Sequence, residues 1–128
     1  AESHARRASA EPTCRRFGLE ALRDARAGSL PAGQRRVLEL ARACIGAPRL
    51  LLLDEPSSGL NSEEIELLRA WILTLNREGL TILLVSHDMG LMTSCDQVHV
   101  LYFGEIISSG TMAAVQADPR VCEAYLGV

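Results

Sequence analysis

The sequence predicts an α/β fold with a mostly parallel sheet flanked by helices, on three observations. Leu50-Leu51-Leu52-Leu53 and Thr81-Ile82-Leu83-Leu84-Val85 are short, unbroken apolar runs. Such runs read as strands buried on both faces, since a half-exposed strand alternates with polar residues. Between them Ile65, Leu68, Ile72 and Leu75 recur at helical spacing, and a helical crossover between two strands makes the pair parallel. Gln97 to Phe103 then supplies a third strand for the same core.

The elements follow in order. Residues 1–16 have little apolar content and no clear period, and are predicted to be a poorly ordered remnant ahead of one unit spanning 17–128. Phe17, Leu19 and Leu22 suggest a short helix ending near Gly28. A turn through Ser29-Leu30-Pro31-Ala32-Gly33-Gln34 feeds a helix from about Gly33 to Ile45, with Val37, Leu40, Ala41 and Cys44 on one face. Gly46 and Pro48 stop it. Asn61 with Glu64 three residues on is a capping-box pattern that opens the crossover helix, which Gly79 closes near Asn76. Asp88 can cap a short helix through about Thr93, and Gly104 turns the third strand into Glu105-Ile106-Ile107-Ser108 as a small hairpin. Thr111 to Ala117 is a short helix, and Asp118-Pro119 sets the cap and first turn of the last one.

Composition narrows the functional classes. At 128 residues and 48% hydrophobic the chain buries a modest core, and a net charge of −3 argues against general nucleic-acid or membrane-surface binding. No apolar run reaches membrane-spanning length. Cys14, Cys44, Cys95 and Cys122 are too far apart for a zinc site and too few for a disulfide scaffold, so reduced, incidental thiols are predicted. All 13 basic residues are Arg; there is no Lys. The opening Ala1-Glu2-Ser3-His4 has neither an initiator Met nor a signal core, and reads as an interior piece of something longer.

The chemistry gathers at strand ends. Asp54 and Glu55 follow the four leucines directly, and Pro56 ends the ladder. In open α/β sheets ligands bind at that carboxyl end, which suggests a cation–phosphate site. Taken alone, the pair could equally begin a polar loop. His87 lies just past the second strand, so its chain position puts it at the same end, whereas His4 and His99 read as ordinary residues. The turn at Leu30–Gln34 opens a helix whose N-terminal amides and dipole favour an anion. In isolation it is also a plain helix start, and Asn61 is also a plain N-cap.

Taken together, Leu30-Pro31-Ala32-Gly33-Gln34, Leu50 to Asn61 and Leu83-Leu84-Val85-Ser86-His87-Asp88 resemble the nucleotide-binding subunits of ABC transporters. Order and spacing match that family's signature, Walker B with D-loop, and switch histidine, over roughly residues 17–128. The Leu-Pro-x-Gly-Gln variant, Glu39, the Gly59-Leu60-Asn61 loop and the Ala124-Tyr125-Leu126-Gly127 ending look most like the branched-chain amino-acid importers. The resemblance implies the C-terminal part of a P-loop NTPase domain that uses ATP and Mg²⁺. It implies Asp54 as the Mg²⁺ carboxylate, Glu55 as general base and His87 as the γ-phosphate sensor. It further implies that Leu30, Pro31, Ala32, Gly33 and Gln34, with Ser58, Gly59 and Asn61 of the D-loop, face ATP across a dimer. The implied partners are a second nucleotide-binding subunit and transmembrane permease subunits, with no nucleic acid. The implied location is the inner face of the cell membrane, held there through the permease.

The chain departs from the pattern at three points. Pro31 and Ala32 replace the Ser and Gly of the commoner Leu-Ser-Gly-Gly-Gln signature, and Asn61 replaces an Asp. A P-loop needs Lys, and none is present. ATP binding in the millimolar range or weaker, and no hydrolysis, is predicted for this stretch alone. Two other readings are a non-transport ABC ATPase of translation or DNA repair and a non-catalytic half-domain that regulates a full subunit.

Overall fold

Where the sequence predicts a poorly ordered start, the computed structural model has a helix, α1 (Glu2–Arg16), with Pro12 inside it. Its end explains its persistence. Gly18 takes a left-handed conformation (φ 68°), the Gly18 N–H donates to the Arg15 carbonyl (3.2 Å), and the Leu19 N–H donates to the Cys14 carbonyl (2.8 Å). That is a Schellman close. The terminus is then anchored: Phe17 stacks on Trp71 with ring centroids 4.4 Å apart, and Arg16 pairs with Glu78. Two single 3₁₀ turns, Glu20–Leu22 and Ala27–Ser29, stand where the next helix is predicted. The structure describes residues 2–126; Ala1, Val128 and the Gly127 of the C-terminal ending lie outside the described residues.

The residues group into two compact units that meet in the chain between Val85 and Ser86. In the first, α2 (Ala32–Cys44) and α3 (Ser62–Arg77) flank β1 (Leu50–Asp54) and β2 (Thr81–Val85) in sequence. The strands pair in parallel, Leu50 opposite Thr81 through Asp54 opposite Val85, as a crossover helix requires. The predicted capping box is present: the Glu64 N–H donates to Asn61 Oδ1 (2.9 Å) and the Asn61 N–H to Glu64 Oε2 (3.0 Å). Gly79 (φ 99°) closes α3 with a second Schellman pair, Leu80 N–H to the Leu75 carbonyl (3.1 Å) and Gly79 N–H to the Asn76 carbonyl (3.0 Å).

Among the described residues the sheet is covered on one face, which corrects the reading of the leucine run as buried on both. Leu51 is 6% exposed and lies in the core with Leu40, Ala41, Leu68, Ile72 and Leu75. Leu50 (52%), Leu52 (65%), Leu83 (57%) and Val85 (53%) face outward. An alternation of burial along an apolar strand means that its second face lacks the layer such a sequence is built to meet.

The second unit contains α4 (Met89–Met92), β3 (Val98–Tyr102), β4 (Glu105–Gly110), α5 (Met112–Ala117) and α6 (Pro119–Leu126). Asp88 caps α4 by accepting from the Leu91 N–H (2.9 Å), and Thr111 caps α5 through the Ala114 N–H (3.2 Å). The third predicted strand does not extend the parallel pair. β3 runs antiparallel to β4, and among the described residues that is its strand partner. Phe103 (φ 46°) and Gly104 (φ 82°) supply the two left-handed residues of a tight hairpin turn, so the ladder bonds of β3 are taken locally. Among the described residues no helix is long and apolar enough to cross a membrane.

Asp118 holds the start of α6. Its carboxylate accepts from Arg120 Nη2 (2.9 Å), from Arg120 Nε (3.3 Å) and from the Arg120 backbone N–H (3.0 Å). The Arg120 guanidinium first, then the Ser108 hydroxyl, keep the Asp118 carboxyl well below the usual carboxylate range. A depressed native pKa means stability that is present above the unfolded value, about 3.9, and is lost as pH falls. Asp118→Asn is therefore expected to lower the melting temperature at pH 7. The gap should close progressively below about pH 4, as followed by thermal unfolding at a series of pH values.

Candidate functional site

The parallel register brings the predicted acidic pair to a defined position. Asp54 is the last residue of β1, exposed, and directly opposite Val85. Glu55 follows in the left-handed region (φ 47°), and its N–H donates to the Val85 carbonyl (2.7 Å). A non-glycine residue held there costs about 1–3 kcal/mol and persists where the surrounding structure over-determines it. The ladder bond to Val85 and buried Pro56 and Ser57 on the far side supply that constraint. Two adjacent carboxylates thus leave the strand on a sharp turn, one exposed and one half-buried.

The turn continues into the predicted D-loop. The Ser58 N–H donates to the Glu55 carbonyl (3.2 Å), the Leu60 N–H to the Ser57 carbonyl (3.1 Å), and Gly59 takes φ 77°. Asn61 then caps α3, so the N-cap reading of that residue holds.

The signature turn opens α2 with Pro31 as N-cap, and no side chain caps the helix nor does an acid lie in its first turn. Leu30 is buried and anchors the turn; Pro31, Ala32 and Gln34 are exposed, and Gly33 is half-buried. The uncapped amides carry the partial positive charge of the helix dipole, which is the anion-favouring feature the sequence suggests. Arg35 is exposed and folds back over the turn, its Nη2 donating to the carbonyls of Leu30 (3.0 Å) and Gly28 (3.3 Å). Arg36 pairs with Glu39 (2.5 Å) and also reaches the Ser58 carbonyl (3.5 Å). None of these three backbone contacts has a sequence signal beyond the Arg-Arg pair itself.

His87 belongs to the second unit, exposed, in the loop Ser86-His87-Asp88 where the Asp88 N–H donates to Ser86 Oγ (3.0 Å). In the first unit a hollow of about 220 Å³ lies beside Asp54, lined by Arg36, Glu39, Leu40, Leu51, Asp54 and Pro56. A drug-sized ligand pocket is roughly 300–1,000 Å³, so this hollow does not enclose a nucleotide. A larger one of about 720 Å³ lies at the opposite ends of the strands, by Arg49, Leu50, Leu80 and Thr81. That is the wrong end for ligand binding in an α/β sheet. Among the described residues no cluster of three or more His, Cys, Asp or Glu can hold a metal. A Mg²⁺ bound through one carboxylate, water and phosphate does not need one, and exposed Asp54 fits that donor set. The four cysteines are free, and burial raises the pKa of Cys44 and Cys95, in keeping with inert thiols.

A parallel β–α–β unit with acids at its strand tip and an uncapped, glycine-containing turn into α2 defines the class: an ATP-binding cassette of P-loop NTPase architecture. Comparison with known proteins agrees. A family model described as ABC transporter matches residues 1–58, and one described as branched-chain amino acid ATP-binding cassette transporter matches residues 105–128. The chain is 44% identical over 103 residues to the high-affinity branched-chain amino acid transport ATP-binding protein BraF of Pseudomonas aeruginosa, covering 79% of this chain and 40% of BraF. It is 40% identical over 114 residues to LivG of Escherichia coli, likewise a high-affinity branched-chain amino acid transport ATP-binding protein, covering 88% of this chain and 45% of LivG. The crystal structure of the ADP conformation of MJ1267, an ATP-binding cassette of an ABC transporter, superposes with a TM-score of 0.84 at 29% identity, covering 94% of this chain and 49% of that one. The chain belongs to the ATP-binding proteins of the ABC transporter family, and spans less than half the length of the relatives it matches.

Proposed function

We propose that this chain is the signature-bearing and Walker-B-bearing part of an ATP-hydrolysing subunit of an ABC importer for branched-chain amino acids. The observation that carries the proposal is the acid pair Asp54-Glu55, turned sharply at the tip of β1 and tied to Val85 two residues before His87. The names of BraF and LivG, and the match of residues 105–128 to the branched-chain model, support the solute class.

In this reading Asp54 holds Mg²⁺, which when bound neutralises phosphate charge beside the reacting group. The Glu55 carboxylate accepts a proton from the attacking water, and the His87 imidazole steadies that water and the γ-phosphate. The amides of Ala32 and Gly33, with the Gln34 side chain, meet the phosphates of ATP held mainly by a second subunit. Ser58, Gly59 and Asn61 extend toward the same partner. Pro31 has no hydroxyl to offer, so this contact rests on backbone amides and charge. The reading requires a phosphate-cradle Lys that these residues do not contain, and permease subunits that hold the assembly at the inner face of the membrane. The outward Leu50, Leu52, Leu83 and Val85 suit a further layer of the same domain.

The test is Mg²⁺-dependent ATP hydrolysis by the whole encoded subunit assembled with its permease. Turnover should be present and should fall about tenfold or more in His87→Ala. No Mg²⁺-dependent hydrolysis in the wild-type assembly would overturn the reading.

A further inference from the structure

The two segments assigned above to the partner-facing surface belong to different elements, yet they touch. A Cβ built at Gly33, the second residue of α2, would lie 2.7 Å from Glu64 Oε1, 2.8 Å from Cγ and 2.9 Å from Cδ. Real side chains do not approach that closely, so the space that only glycine leaves open is filled by the half-buried Glu64 side chain. The other oxygen of the same carboxylate accepts the Asn61 N–H (3.0 Å) at the end of the D-loop. A second link runs the opposite way, from Arg36 of α2 to the Ser58 carbonyl (3.5 Å).

We infer that Glu64 is a positioning residue: a strut that locks the D-loop turn to the signature turn and seats a negative charge against the N-terminal end of α2. Helix α2 has no side-chain cap and no acid in its own first turn, so Glu64 supplies from α3 the charge that its dipole favours. The Asn61–Glu64 box by itself is ordinary helix capping. What exceeds capping is the contact with Gly33, which makes one carboxylate serve two elements. Ser58, Asn61 and Gly33 then move as one body, and any phosphate that approaches the α2 amides meets a carboxylate already beside them. That last consequence rests on the ATPase reading; the strut itself does not.

A double-mutant cycle in the whole encoded subunit separates the two. The three atoms nearest a Cβ at Gly33 all belong to Glu64, and Ala is otherwise the better helix former. Gly33→Ala should therefore dislodge Glu64 and lower the melting temperature by about 3–6 °C. In the Glu64→Ala background the same change should be neutral or stabilising. Additive effects overturn the strut, whatever nucleotide assays give. Glu64→Gln keeps the capping geometry and removes the charge. It should leave the melting temperature nearly unchanged and lower KM for Mg·ATP about two- to fivefold, with kcat moving less than KM. A KM unchanged in Glu64→Gln overturns the electrostatic role. Absence of ATP hydrolysis in the wild type defeats the functional reading instead, and the unfolding cycle still decides the strut.

Discussion

Glu55→Gln in the assembled subunit is expected to lower ATP turnover by roughly 10²–10⁴, the usual contribution of a positioned general base. The amide matches the carboxylate in shape and can still hold a water, but it cannot take its proton. The backbone does not depend on the change: the left-handed turn at residue 55 and its 2.7 Å bond to the Val85 carbonyl involve main-chain atoms only. The melting temperature should therefore stay within about 1–2 °C of wild type, since the amide keeps the shape and packing of the half-buried side chain. ATP affinity should also be retained, so that the loss falls on kcat. Asp54→Asn is the contrast, since a weakened Mg²⁺ ligand raises the Mg²⁺ concentration needed for half-maximal rate. Steady-state hydrolysis over a Mg²⁺ series distinguishes the two. Turnover of Glu55→Gln within a few-fold of wild type would remove Glu55 as base.

How much of this site is legible in the sequence depends on whether the signal is local. The strand bounds at Leu50–Asp54 and Thr81–Val85, the Asn61–Glu64 box and the Asp88 cap are all written within a few residues, and the structure has each. Burial is not local. Four leucines in a row state what β1 is built to meet, not whether both layers are there, and Leu52 stands outward beside buried Leu51. The third strand fails for a related reason. Its apolar run fits a parallel core, but the Phe103-Gly104 turn brings a partner within reach sooner than any crossover can. The order in residues 2–16 was likewise hidden. Its causes are the stacking of Phe17 on Trp71 and the pairing of Arg16 with Glu78, both far apart in the chain. The Glu64 contact with Gly33 was half visible: capping named the residue, but only packing shows its second neighbour.

The contrast between neighbouring leucines of β1 gives the largest stability prediction. In the chain as described, Leu51→Ala removes a side chain that is 6% exposed among Leu40, Leu68 and Leu75, and should cost about 2–5 kcal/mol. Leu52→Ala, at 65% exposure, removes little buried area and should cost under about 0.5 kcal/mol. Both substitutions delete the same atoms from the same strand, so helix or strand propensity cannot account for a difference; only the covering layer can. Urea unfolding of the two variants with a shared m-value measures it. In the complete assembled subunit the outward face acquires neighbours if a further layer packs on Leu50, Leu52, Leu83 and Val85, and the cost of Leu52→Ala should then rise toward that of Leu51→Ala. A cost for Leu52→Ala that stays negligible there would mean that the apolar face remains open to water. The strand's composition would then have to be explained by something other than a missing half of the core.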